Sequence, residues 1–141
     1  MRHSSRLLFA ALVAPLLIGL LAITGCVGTK TAYKEASGVD EYAYVLTEHY
    51  SALVSQAATL AALPTTPASV KERLKAADRA AYLVVVGDPT ASPRVVGLAE
   101  LAANYKQIRN AENQLALQRA VDSAVLKVAD LVRALRAGGA R

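Results

Sequence analysis

Few side chains in this 141-residue sequence could do chemistry, and they are scattered. Cys26 is the only cysteine, so neither an intramolecular disulfide nor a cysteine-built metal cluster can form. His49 is the only histidine besides His3. On a helix its neighbour Glu48 points about 100° away. The positions three and four residues to either side are Val45, Leu46, Ala52 and Leu53, all apolar. A metal ligand or general base would want a second histidine or a carboxylate at those offsets. His49 therefore reads as a half-buried packing residue. Tyr42, Tyr44 and Tyr50 cluster, with Tyr82 and Tyr105 elsewhere. Rings with a polar tip could grip sugars or lipid headgroups, but at helical spacing they read first as core with hydroxyls at the rim. The serines lie in no GxSxG elbow or SxxK pair, and no glycine-rich phosphate loop occurs. Glu35, Asp40, Glu41 and Glu48 are too spread for a paired-carboxylate site. The residue chemistry predicts no enzyme and no catalytic, cofactor or metal site.

What remains is Cys26, and its setting is distinctive. Met1 to Arg6 is short and basic; Leu7 to Ile23 is apolar but for Pro15 and Gly19; small residues Thr24 and Gly25 follow. Basic, apolar and small regions in that order read as a secretory signal peptide over residues 1–25. The apolar run of 17 residues contains a proline, whereas a spanning helix wants about 20 apolar residues.

Ile23-Thr24-Gly25-Cys26 resembles the lipobox of bacterial lipoproteins, in which an aliphatic residue, a small one and Gly or Ala precede the cysteine. That resemblance implies that the thiol of Cys26 takes a diacylglyceryl group, that the chain is cut just before it, and that the new amine is acylated in turn. Each buried methylene contributes about 0.8 kcal/mol, so one acyl chain holds marginally and two or three hold firmly. The family often marks inner-membrane retention with an aspartate directly after the cysteine. Val27 stands there, which implies an outer-membrane anchor facing the periplasm in a two-membrane cell.

From Cys26 onward 116 residues remain, with 14 basic and 11 acidic side chains once Arg2 and Arg6 are removed, a net charge of +3. The chain lacks the basic stripe that nucleic-acid binding wants, and no nucleic-acid partner is expected. Mild basicity suits a neighbour such as anionic lipid or cell-wall polymer.

The pattern then switches to helix. Residues 26–38, including VGTKTAYKEASG, are small, polar and without period, and read as a tether of at most about 40 Å. A helical domain over 39–141 follows. Tyr42, Leu46 or Val45, Tyr50, Leu53, Ala57 and Leu60 recur at three and four, predicting a helix over 39–63 with Asp40 and Glu41 at its positive end. Pro64 and Pro67 stop it. Thr66-Pro67 and the capping box Ser69-Val70-Lys71-Glu72 are rival starts for a helix over 69–86, with Val70, Leu74, Ala77, Ala81 and Val84 inward. A small hairpin pairing the Tyr82–Val86 stretch with Val95-Val96 across Gly87-Asp88-Pro89 is the lesser reading there. Ser92-Pro93 opens a third helix over 93–137. One stripe runs through Leu98, Leu101 or Ala102, Tyr105, Ile108 and Leu115; another runs through Val121, Val125, Val128, Val132 and Leu135. The polar stretch Arg109 to Gln114 divides them. A break there, capped by Asn110, would suit an up-down four-helix bundle. The lack of Gly or Pro favours one continuous or kinked helix.

The expected fold is all-α, a small bundle of two shorter helices and one long C-terminal helix, continuous or broken near Asn110. Its core is poor in aromatics and rich in alanine, with 25 alanines in those 116 residues. Such a core buries little area per residue and leaves apolar helix faces for a partner. Two functions follow: a membrane-anchored envelope lipoprotein that binds itself or an envelope protein, or an inhibitory, immunity-type lipoprotein of a mobile element blocking one target. Gene neighbourhood separates them. Solute binding would need a concave pocket, for which alanine-rich helices leave little room.

Overall fold

The computed structural model describes residues 36–139. The signal peptide expected over residues 1–25, the sequence Ile23-Thr24-Gly25-Cys26 and the expected tether as far as residue 35 lie outside the described residues. What is described is an all-α bundle. Helix α1 spans Val39–Ala62 and α2 spans Ala68–Val85; β1 (Gly87–Asp88) and β2 (Val95–Val96) follow; α3 spans Leu98–Gln107 and α4 spans Ala111–Gly139.

Helix α1 starts where expected. Gly38 is extended at the N-cap, and Glu41 turns back to accept from the Ser37 backbone N–H at 2.7 Å and from its hydroxyl at 2.9 Å. Two donors are thus satisfied at the helix entrance. The helix stops at Leu63, which Pro64 holds in extended conformation. Neither start foreseen for α2 is used, since its N-cap is Pro67 rather than Thr66 or Ser69. The Thr66 hydroxyl donates back to the Leu60 carbonyl at 2.6 Å, sealing the end of α1 in a buried position. Pro67 is itself the N-cap of α2, its carbonyl receiving the N–H groups of Val70 and Lys71.

Both readings of the valine run are realised in part. Tyr82 to Val85 are helical, and the chain beyond them forms a two-residue antiparallel ladder pairing Gly87 with Val96 and Asp88 with Val95. Gly87 has φ +89, a conformation that side chains rarely adopt.

Of the readings of residues 93–137, the broken one holds and the favoured continuous or kinked helix does not. Residues 93–97 are not helical, and the remainder divides at Ile108 to Asn110. No glycine or proline is needed for that break. Ile108 is extended at the C-cap of α3, and the Asn110 side-chain oxygen accepts the Asn113 N–H at 2.8 Å to start α4. The stripe drawn through one helix fails with it: Ile108 is 60% and Leu115 50% exposed.

Helix α4 packs against the other three, and α2 meets α3 only slightly. A Cβ on Gly138, at the end of α4, would lie 2.8 Å from Val70 and 2.9 Å from Leu60. The last turn of α4 therefore sits beside the end of α1 and the start of α2. The start of α1 lies against the middle of α4. So α1 and α4 run the same way, α2 runs opposite, and short α3 belongs to the connection before α4. The core is formed by Leu46, Tyr50 and Leu53 of α1, Val70, Leu74 and Val85 of α2, Leu98 of α3, and Leu117, Val121, Val128 and Leu131 of α4. Val84 is half-buried and Val85 takes its place. In α4 Ala124 is buried and Val125 is not.

Candidate functional site

The candidate chemistry does not converge. His49 is half-buried, and burial holds its imidazole below the usual histidine range. Tyr50 is a core residue; its hydroxyl donates at 2.8 Å to Asp78 of α2. Burial and that bond hold its phenol far above the ordinary tyrosine range. Three further rings each stand beside a cation: Lys106 Nζ is 4.6 Å from the centre of the Tyr44 ring, Arg79 5.7 Å from Tyr82, and Arg109 6.0 Å from Tyr105. These contacts tie the three rings to neighbouring side chains.

Two carboxylates, Glu41 and Asp88, are engaged in local structure. The backbone and hydroxyl of Ser37 hold Glu41 below its usual range. Asp88 is held down first by the Thr90 hydroxyl, then by the Thr90 N–H, with Arg79 3.6 Å away. Among the described residues no three His, Cys, Asp or Glu side chains lie close enough to hold a metal ion. None of their buried side-chain polar atoms lacks a hydrogen-bond partner. No described helix is long and apolar enough to cross a membrane.

One surface groove lies beside residues 36–38. It is open, about 650 Å³ in volume, and runs between the start of α1 and the middle of α4. Gly38, Val39 and Tyr42 form one wall; Val121, Val125 and Leu126 form the other. Gln118 and Asp122 add a polar edge, bonded to each other at 3.0 Å. Val125, expected inside, is 36% exposed in this wall, and Leu126 is 67% exposed at its rim. Sequence reasoning missed Leu126, because the valine stripe through Val121 and Val128, which is buried, drew in Val125 and left the outward face unread. Leu115 and Leu126 lie three helical turns apart, a relation that gains meaning only once the phase of α4 is known.

Comparison with protein-family models, with curated proteins and with solved structures finds no match for this chain. Its function must be argued from its own residues.

Proposed function

We propose that this chain is a lipid-anchored protein of the bacterial cell envelope, processed and acylated at Cys26, whose helical domain serves as an interaction module. The anchor reading rests on the order basic, apolar, small, cysteine over residues 1–26. The interaction reading is carried by one observation: apolar side chains on the outside of α4. Leu115, Val125 and Leu126 are exposed on a helix whose opposite side already fills the core. Exposed apolar side chains beside a groove are what a partner surface offers. The groove also begins at Ala36, ten residues beyond Cys26. The intervening chain can span at most about 36 Å, which keeps this surface near the membrane. An envelope protein or a second copy held by the same kind of anchor is therefore within reach.

Metabolic labelling with an alkyne analogue of palmitate tests the anchor. Label on the wild-type chain and none on Cys26→Ser is the expected result. Equal labelling of both, or none on either, would remove Cys26 from the account.

A further inference from the structure

Four residues on α4 have a spacing that reads the same from either end, with opposite charges at the two inner positions. Leu115, Arg119, Asp122 and Leu126 are all exposed. At 3.6 residues per turn they fall within an arc of about 60°. The buried residues of α4, namely Leu117, Val121, Ala124, Val128 and Leu131, lie on the opposite side of the helix. The outward four follow one another at spacings of four, three and four, the spacing of a coiled-coil seam. Reversed in direction, the order leucine, cation, anion, leucine becomes leucine, anion, cation, leucine.

We infer that the outer face of α4 is the interface of a homodimer, two copies of this helix pairing antiparallel about a two-fold axis that crosses between Ala120 and Val121. This deepens the interaction reading above and rests on it, naming the partner as a second copy. In that register Leu115 faces the partner's Leu126, and Arg119 faces the partner's Asp122. Each contact occurs twice, as an isologous interface requires. Gln118 already holds the Asp122 carboxylate in place through its 3.0 Å bond.

Other registers are worse. Parallel pairing would set Arg119 on Arg119 and Asp122 on Asp122. Sliding the antiparallel pair by a heptad one way sets Leu115 on Arg133 and Asp122 on Leu126; the other way it sets Glu112 on Asp122. A central polar pair in an apolar seam selects register at some cost in stability. The seam is short against the roughly 1,200 Å² of a stable interface. Pairing therefore depends on copies being concentrated on one surface, where a shared anchor raises effective concentration.

Disulfide trapping of the full-length chain tests this geometry. Leu115 and Leu126 of one chain are about 16 Å apart along the helix axis, beyond the reach of a disulfide, which needs Cα atoms within about 7 Å. Across the proposed seam they are opposite. The double variant L115C/L126C is oxidised with copper–phenanthroline, both in membranes and as concentrated purified protein in detergent. It should give a covalent dimer, while L115C and L126C alone should not. Adding R119D should cut the dimer yield several-fold, because each Asp122 then faces a second carboxylate across the seam, and adding D122R as well should restore it. No dimer in either setting, equal dimer from a single variant, or no restoration by the second charge reversal overturns the pairing. Palmitate labelling of the same samples reports the anchor separately, so loss of the anchor and loss of the pairing are told apart.

Discussion

The hydroxyl of Tyr50 on α1 and the carboxylate of Asp78 on α2 meet at 2.8 Å, with the Tyr50 ring buried beneath them. The bond pins two helices that run in opposite directions at one height. Its donor is a residue whose spacing alone marks it as core. Tyr50→Phe keeps the ring and removes the donor, leaving Asp78 to find water. We expect a loss of about 1–2 kcal/mol, read as a lower midpoint in urea. Asp78→Asn keeps an acceptor and should cost less.

The same bond sets an alkaline limit. Tyr50 has its folded-state pKa raised by burial and by the bond to Asp78. The folded protein therefore keeps this proton after the unfolded chain, whose tyrosines titrate near about 10, has released it. The contribution is full below that pH and is lost as pH rises beyond it. Urea midpoints should fall above about pH 10, and fall less in Tyr50→Phe.

His49 sets a limit on the acid side. Burial lowers its folded-state pKa, so below about pH 6.5 the unfolded chain takes up a proton that the folded one resists. Stability should be full above that pH and should decline as pH falls through it. His49→Gln should flatten the decline between about pH 7 and pH 5, a window above that of the depressed carboxylates Glu41 and Asp88.

Gly97 and Gly139 make a paired test of backbone approach. A Cβ on Gly97 would stand 2.2 Å from the carbonyl oxygen of Val86, where the β ladder brings two backbones together. Gly97→Ala should destabilise by about 3 kcal/mol or more, as overpacking against fixed backbone does. At Gly139 a Cβ would meet nothing within 4 Å, so Gly139→Ala should be neutral or slightly stabilising. Thermal melts of the two variants decide it.

Asn110 carries the break between α3 and α4. Removing its cap with Asn110→Ala should cost about 1 kcal/mol, and restoring the cap with Asn110→Asp should recover most of it. Amide exchange of Asn113, whose N–H the cap receives, should quicken in the alanine variant.

How far these features were legible in advance depends on what each residue's neighbours say locally. The starts and ends of α1 and α2 are written in short signals such as Asp40-Glu41, Pro64 and Gly87, and fall within a residue or two of expectation. The buried set of α1 follows its period closely. Helix α4 was harder because valine and alanine compete for the inner face. Val121 and Val128 go in, but Ala124 and not Val125 lies between them, because a small residue lets α1 and α2 approach. The break at Asn110 carries no glycine or proline, so its only local sign was a possible cap within a polar stretch. Outward Leu126 could not be told from a core leucine until the phase of α4 was known. Cys26 is the reverse case: its proposed role rests on order and spacing alone and on no feature of the fold.

The central claim concerns that cysteine, and the intact mass of the membrane-extracted protein beside that of Cys26→Ser tests it most directly. A chain beginning at residue 26 and carrying two or three acyl groups, with both changes lost in the variant, is the result expected. An unmodified full-length mass in both would contradict it, and would make residues 7–23 a membrane anchor instead.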